Sequence, residues 1–270
     1  MHDAVNRPLS RELPSLIPLH PAEHLLSSQR VMRFRQVLAR RSGRLSMVIE
    51  ECYDPQNATA IVRTCDCLGI HRLHVITERN HFQVNRRVSQ GAHLNLDLRV
   101  HDHIDEAYAQ LREDGFRILA SDLANDAAVG PGALQSQLAE HPLALVFGNE
   151  GHGLSEAAIA GADGRFLIPM TGFSQSLNLS VSVAICAYVM RQEALEQDLP
   201  GDLPVIEQAR WFDSWLKRSK RVEQACQDLG WSGPDGLPPL HPLGRESLDR
   251  RGNPCDSIHS SHHSDPDQPA

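Results

Sequence analysis

The sequence contains no long apolar run. No stretch of about 18 or more consecutive apolar residues occurs in its 270 residues, so a membrane-spanning helix is not expected. The first residues also lack a basic segment followed by an uninterrupted apolar stretch, so a secretory signal is not expected either. These absences indicate a cytoplasmic protein. The hydrophobic fraction of 41% is sufficient for one well-buried core.

Cysteines with the spacing of zinc ligands are also absent. The 6 cysteines form no C-x-x-C pair, whereas a structural zinc site usually needs two closely spaced pairs of ligands. Cys65 and Cys67 are two residues apart in a predicted helix and therefore point in different directions. We expect buried, unreactive thiols and no bound metal.

Two common glycine-rich nucleotide-binding patterns are missing as well. The loop after the predicted strand 143–147 reads GNEGHGLS, and no Gly-Lys-Ser/Thr follows, so it is not a Walker A loop. Its spacing, GxxGxG late in the chain, does not fit the Rossmann fingerprint. A nucleotide-dependent oxidoreductase is therefore disfavoured. The glycines alone are also typical of an ordinary tight turn.

The net charge of −8 argues against nucleic-acid binding, but positive charge is concentrated in two segments. Six arginines and no acidic residue occur between Arg30 and Arg44. The second segment contains Lys217, Arg218, Lys220 and Arg221. Each segment alone is typical of a solvated helix face, whereas two basic segments flanking one apolar domain favour phosphate binding.

The two ends of the chain are predicted to lie outside the folded domain. Residues 1–24 contain four prolines and are predicted to be a flexible leader. Residues 232–270 are rich in Pro, Gly, Ser, His and Asp, with too few apolar groups to offset the entropy of ordering. This composition predicts a disordered tail. The folded domain, with its flanking helices, is predicted over residues 25–231.

Strand and helix patterns alternate through the predicted domain. Predicted strands cover residues 46–50, 72–76, 94–100, 116–120, 143–147 and 165–168. Predicted helices cover residues 21–41, 58–68, 105–113, 176–192 and 201–228, with a short one after Ser155. This alternation predicts an α/β fold with a mainly parallel sheet and helices on both faces. Ligands bind such sheets at the carboxyl ends of strands, so the loops after strands one, four, five and six are candidate sites.

The helix after the first strand carries the first candidate stretch, NATAIVR at residues 57–63. Asn57 is predicted to cap this helix. Arg63 is flanked by apolar residues, and an arginine in that setting needs an anionic partner or solvent. It either forms an intramolecular ion pair or binds an anion such as phosphate.

The glycine-rich loop GNEGHGLS, residues 148–155, is the second candidate stretch. The third is IPMTGFSQSLNLSVSVAI, residues 168–185, which leads from the last strand into a long helix. Helix capping explains Ser174 or Ser176. It does not obviously explain Asn178, which is expected inside the first helical turn, where asparagine is unfavourable.

In this order and spacing, NATAIVR, GNEGHGLS and IPMTGFSQSLNLSVSVAI resemble the three motifs of the SpoU family of RNA 2′-O-methyltransferases. The resemblance covers roughly residues 30–225 and extends to TCDCLGIHRLHVI and FRILASDL. Within the family it is closest to the TrmH-type tRNA (guanosine-2′-O)-methyltransferases, because no additional RNA-binding domain precedes the catalytic one.

The resemblance implies a SPOUT-type fold with a deep trefoil knot in its C-terminal part, a homodimer, and S-adenosylmethionine as the methyl donor. The implied donor-binding residues are Ser121, Gly148, Ile168 and Leu177. The implied catalytic and architectural residues are Asn57, Arg63, Glu150, Ser176 and Asn178, with Arg63 facing the donor held by the partner subunit. The implied RNA-binding residues are Arg30, Arg33, Arg40, Arg41, Lys217, Arg218, Lys220 and Arg221.

The sequence leaves open which group accepts the proton of the ribose 2′-hydroxyl. His152 is the nearest conventional base, whereas the family mechanism assigns the proton to Arg63, activated by a substrate phosphate. Free arginine has a pKa above about 12, so positioning of the phosphate is the alternative role. Ser176 and Asn178 are expected to hold the ribose or Arg63, and Glu150 to fix either the loop geometry or the opposing arginine.

The predicted substrate is tRNA, with guanosine 18 of the D-loop as the target nucleotide. The alternatives are rRNA or another tRNA position, and a catalytically silent RNA-binding relative. Intact Arg63, Glu150 and Asn178 argue against the silent relative. Gln56 stands where TrmH-type proteins often carry His, and the overall charge is acidic; both departures bear on the target nucleotide.

Overall fold

The computed structural model describes residues 12–78, 82, 91–122 and 129–234. A six-stranded sheet forms its centre, in the order β3-β2-β1-β5-β4-β6. Every neighbouring pair is parallel. The strands are β1 Ser42–Glu50, β2 Ile70–Ile76, β3 Asp97–His101, β4 Arg117–Ser121, β5 Leu143–Phe147 and β6 Gly164–Phe166. The predicted parallel α/β fold is confirmed.

Eight α-helices occur in the described part of the chain. They are α1 Ser28–Leu38, α2 Pro55–Leu68, α3 Ile104–Glu113, α4 Pro131–Glu140, α5 Glu156–Gly161, α6 Leu179–Glu196, α7 Val205–Leu216 and α8 Lys220–Asp228. Helix α4 was not predicted, and the stretch predicted as one helix over residues 201–228 is two helices. No helix of these described residues is long and apolar enough to cross a membrane.

Helices cover both faces of the sheet because successive side chains of a strand point to opposite faces. Met47 and Ile49 of β1 pack in a cluster with apolar residues of α2, α4 and α6. Val48, between them, packs in a separate cluster with α3 and α5. The chain runs from β1 to β2 and β3 on one side, then fills the other side from β4 onward. The order therefore reverses between β1 and β5, and ligands bind such sheets beyond the carboxyl ends of the strands.

Helix α2 begins earlier than the sequence pattern predicts. Asp54 accepts a hydrogen bond from the Gln56 backbone N–H, and Pro55 occupies the first helical position, where its missing N–H costs nothing. Gly69 ends the helix in the left-handed conformation, as predicted. The prediction that Asn57 caps this helix is therefore wrong. Asn57 lies in the first turn, and its side chain is left for another partner.

Helix α6 begins later than predicted, and its cap is Asn178. The Oδ1 atom of Asn178 accepts from the backbone N–H groups of Ser180 at 2.9 Å and Val181 at 3.3 Å. This geometry is the ordinary asparagine N-cap. The interpretation that capping does not explain Asn178 was wrong, because the helix was placed about one turn too early.

The N-terminal segment is packed where the sequence predicts a flexible leader. The backbone of Leu13 exchanges two hydrogen bonds, of 2.9 and 2.8 Å, with the side-chain amide of Gln36. Arg35 donates to the Ile17 carbonyl at 2.6 Å and pairs with Glu23 at 2.6 Å. The prolines at positions 14, 18 and 21 therefore belong to a packed segment and do not mark disorder. Residues 1–11 and the predicted tail from 235 lie outside the described residues.

Ile17 packs into a second core formed with α1, α7 and α8, and is only 5% exposed. Replacing Ile17 with alanine is expected to lower the free energy of unfolding by about 2–5 kcal/mol, through lost burial and the cavity left behind. Urea unfolding measures this. The adjacent Leu16 is 72% exposed, so Leu16→Ala should change stability by less than about 0.5 kcal/mol. Equal effects of the two substitutions would contradict a packed segment.

Candidate active site

A cavity of about 330 Å³ lies at the carboxyl edge of the sheet. Its wall includes the last residues of three strands: Ser121 of β4, Phe147 of β5 and Phe166 of β6. The first turn of α6 closes it with Leu179 and Ser182. The volume is in the range of sites for small ligands, and the position is the one at which parallel sheets bind them.

The structure brings the second and third sequence stretches together around this cavity. All four residues predicted to bind the donor line it, and so do two of the predicted catalytic residues: Ser121, Gly148, Ile168, Leu177, Glu150 and Ser176. Asp122, Asn149 and Met170 also line the cavity and were not singled out from the sequence. Each is the chain neighbour of a motif residue or lies between two of them, and that adjacency is the only signal in the sequence.

The loop after β5 is held in a tight turn. Asn149 and Gly153 exchange two backbone hydrogen bonds of 3.0 Å. The Asn149 side chain accepts from the backbone N–H groups of Gly151 at 2.6 Å and His152 at 3.1 Å. A Cβ at Gly148 would overlap the backbone of Gly153. The glycine at 148 is therefore required because two backbone segments meet at the cavity wall.

Glu150 connects this loop to helix α2. Its Oε1 atom accepts a hydrogen bond of 2.7 Å from the Nδ2 group of the buried residue Asn57. Asn149 next to it donates at 2.7 Å to the Glu51 carbonyl, at the end of β1. These bonds join β1, α2 and the loop after β5 at one point. These contacts are the ones that a role in fixing loop geometry requires, and the role of Glu150 stays a prediction.

Two further side chains lie beside this junction: Glu50, which was not singled out from the sequence, and Cys52, which was predicted only as one of the buried, unreactive thiols. Buried Glu50 accepts from both the backbone N–H and the hydroxyl of Ser155, at 2.8 and 2.7 Å, and so fixes the start of α5. The Cys52 thiol lies 3.9 Å from the Glu150 carboxylate. Burial, together with the negative charges of Glu150 and Asp54, raises the pKa of the Cys52 thiol to about 12. Cys52 is thus a protonated, unreactive thiol at neutral pH.

Arg63 is exposed on α2 and does not line the cavity of its own chain. Its guanidinium forms no ion pair or hydrogen bond with another residue that the structure describes. Of the two roles that the sequence left open for this arginine, the intramolecular ion pair therefore has no partner among the described residues. The neighbouring Ala60 and Thr64 line a shallow apolar groove between α2 and α6.

A family model described as the SpoU rRNA Methylase family matches residues 44–188. The chain belongs to the SpoU methylase family. It is 36% identical over 167 residues to the tRNA (guanosine(18)-2′-O)-methyltransferase of Thermus thermophilus, covering 62% of this chain and 84% of that protein. The enzyme of the same name from Escherichia coli is 30% identical over 168 residues, covering 62% and 72%.

The fold is also similar to a solved structure, the TrmH/SpoU tRNA modifying enzyme of A. aeolicus. The TM-score is 0.61 at 28% identity, covering 69% of this chain and 94% of that one. These findings confirm the predicted family and the methyltransferase class. The SpoU match spans the three sequence stretches and the cavity that GNEGHGLS and IPMTGFSQSLNLSVSVAI form. The deep trefoil knot and the residue roles implied by the resemblance stay predictions.

The predicted RNA-binding residues of this SpoU methylase differ in their exposure. Four are exposed on α1 and α8: Arg30, Arg33, Lys220 and Arg221. Three are partly buried and bonded within the chain: Arg40 to Asp198, Lys217 to Asp213, and Arg218 to Asn95. Arg41 is fully buried against Asp66, so its prediction as an RNA contact is wrong. Sequence alone could not separate it from the exposed arginines nearby.

No group of three or more His, Cys, Asp or Glu side chains among the described residues of the SpoU methylase is arranged to hold a metal ion. The described cysteines are all free, and four of the five are buried. Cys255 lies outside the described residues.

Proposed function

We propose that this SpoU methylase transfers a methyl group from S-adenosylmethionine to a ribose 2′-hydroxyl of tRNA, at guanosine 18 of the D-loop. The observation that carries the proposal is the cavity in which the second and third motifs meet, with Glu150 and Ser176 in its wall. Relatives named tRNA (guanosine(18)-2′-O)-methyltransferases support the choice of substrate and nucleotide. Since its substrate is tRNA, we place the enzyme in the cytoplasm.

The cavity fits the methyl donor in size and in the character of its wall. Phe147, Ile168 and Leu177 give it apolar surface, and the missing Cβ of Gly148 lets the backbone of Gly153 close the cavity wall. S-adenosylmethionine would supply a methyl carbon that bonds to the ribose oxygen as its bond to sulfur breaks, sulfur keeping the electron pair and the hydroxyl proton leaving to a base.

The chain must therefore align the hydroxyl with the cavity and help its proton leave. Asn57 and Glu150 hold the loop that forms the cavity wall. Asn178 uses its amide oxygen in the α6 cap, which leaves the amide nitrogen to donate to the ribose. Arg63, with its exposed guanidinium, binds the phosphate next to that ribose, because the planar fork matches phosphate oxygens.

Arg63 cannot serve a cavity that it does not line unless a second chain brings it there. We propose a homodimer in which the groove between α2 and α6 is the contact surface. Val181 and Tyr188 of α6 are 44% and 49% exposed beside this groove. Exposed apolar groups of this size favour a protein contact. Arg63, one residue from Thr64 of the groove, would then reach toward the donor cavity of the partner.

The exposed basic residues of α8 are proposed to bind tRNA phosphates outside the cavity. Replacing Lys220 and Arg221 together with alanine is expected to raise the KM for tRNA more than it lowers kcat. Affinity for tRNA falls as salt rises, and the slope of log affinity against log salt should become shallower by about 2, one for each lost phosphate contact. Steady-state kinetics at several salt concentrations test this. An unchanged KM and slope would remove α8 from the RNA surface.

Ribose methylation of rRNA is the second candidate, because the matching family model is described as rRNA methylases. The test is transfer from labelled S-adenosylmethionine to unmodified tRNA and rRNA transcripts, with the modified nucleotide mapped by mass spectrometry. The proposal expects 2′-O-methylguanosine in the tRNA D-loop. Ribose methylation only in rRNA would correct the substrate. Donor binding without transfer to any RNA would favour the catalytically silent relative and overturn the proposal.

A further inference from the structure

Phe173 is the most exposed large apolar side chain of the described residues. Its ring is fully exposed, ahead of Leu19 at 84%. It lies between β6 and α6, in a segment whose residues 171–178 are all exposed. A phenyl ring held in water forgoes about 1.5–3 kcal/mol of burial free energy, which a partner that covered the ring would recover.

Phe173 differs from Leu19 in its position, because it lies in the segment that forms part of the cavity wall. Met170 and Ser176, three residues before and three after it, both line the cavity. Three extended residues span at most about 10 Å, so the backbone of Phe173 lies within about 10 Å of two residues of the cavity wall. A ribose placed at the cavity carries its base into the same space.

We propose that Phe173 stacks on the base of the target nucleotide and thereby positions the ribose at the cavity. The inference rests on the proposed function, because it takes RNA as the substrate. Unpaired bases in RNA loops are held on the faces of aromatic side chains, and stacking accepts any base. Phe173 is therefore a positioning residue, which sets where the nucleotide sits and leaves the identity of its base to other contacts.

Four binding measurements isolate this contact. Wild type and Phe173→Ala are each titrated with a tRNA transcript and with the same transcript lacking the base at position 18. Loss of one stacked base lowers affinity by about 5-fold or more. We expect Phe173→Ala to weaken binding of the intact tRNA by this factor and to leave binding of the abasic tRNA unchanged. Leu19→Ala, the matched change at another exposed apolar side chain, should leave both affinities unchanged.

Two further variants separate stacking from a structural role. Phe173→Trp should restore affinity for the intact tRNA, and its added indole fluorescence should be quenched by that tRNA more than by the abasic one. Phe173→Leu should not restore it, because leucine has no flat face. Equal weakening of both tRNAs by Phe173→Ala, or full rescue by leucine, would overturn the proposal. If Phe173→Ala sedimented as a monomer where the wild type sediments as a dimer, the ring would be a subunit contact, and the proposal would again be overturned.

The outcome also distinguishes this proposal from the proposed function. A wild-type protein that methylates no tRNA, yet whose Phe173→Ala variant loses affinity only for the intact tRNA, would refute the reaction and support the stacking contact. The opposite outcome is a wild-type protein that methylates guanosine 18, while removal of the base at that position weakens tRNA binding equally in wild type and Phe173→Ala. That result would refute only the stacking contact.

Discussion

Replacing Arg63 with alanine is expected to lower kcat for methyl transfer by about 100- to 10,000-fold, the contribution of a group that positions or moves the reacting proton. The fold should survive. Arg63 is exposed, so the free energy of unfolding should change by less than about 0.5 kcal/mol. Single-turnover transfer to tRNA at saturating donor measures the rate, and urea unfolding measures stability.

The matched control is Arg117→Ala. Arg117 is also exposed but begins β4, at the edge of the sheet opposite the cavity, so its removal should leave transfer unchanged. Arg63→Lys tests the planar fork: it keeps the charge but loses bidentate contact with phosphate, so it should stay well below wild type. Wild-type turnover by Arg63→Ala would refute its place in the reaction.

Replacing Gly148 with alanine is expected to weaken S-adenosylmethionine binding by about 10- to 100-fold, as overpacking of a tight contact costs about 1–3 kcal/mol. The new methyl group would overlap the backbone at Gly153, so the loop that forms the cavity wall must shift. Titration calorimetry with the donor and no RNA measures this effect separately from tRNA binding.

Gly172→Ala is the matched control for this prediction. A Cβ at Gly172 would meet no described atom within 4 Å, so donor affinity should stay at the wild-type value. If Gly148→Ala also bound the donor normally, the proposed donor site would be wrong, because the cavity wall could then be displaced without consequence.

The two variants together test the proposed dimer. Arg63→Ala has an intact cavity and Gly148→Ala an intact arginine. In the proposed dimer each mixed pair holds one complete site, so mixing the two impaired proteins should restore transfer at a donor concentration too low to fill the Gly148→Ala cavity. Absence of any recovery, with subunit exchange shown by differently tagged chains, would contradict the proposed dimer, in which Arg63 serves the cavity of the partner.

Much of the sheet could be predicted because its strands are short apolar runs bounded by turn residues. Residues 143–147 were predicted with the bounds observed for β5. Helix starts were less predictable, since they depend on caps. The start of α2 differs from its prediction by about a turn because Asp54 and Pro55 begin it, and the start of α6 differs by about a turn because Asn178 caps it. The earlier start of α2 makes Asn57 a partner of Glu150 and not a cap.

The members of the site could be predicted from three motifs, but their arrangement could not. Spacing along the chain says nothing of the 2.7 Å bond between Asn57 and Glu150, because those residues are brought together by β1 and β5 being neighbours. Nor does composition separate the buried Arg41 from the exposed Arg30, since both occur in one basic run. Tertiary packing decides each of these.

The most direct test of the proposed reaction compares two tRNAs that differ by one oxygen atom. One transcript carries guanosine at position 18, and the other carries 2′-deoxyguanosine there. The proposal predicts methyl incorporation into the first, recovered as 2′-O-methylguanosine at that position, and none into the second. Equal incorporation into both tRNAs would show that the 2′-hydroxyl of guanosine 18 is not the acceptor and would contradict the proposed function.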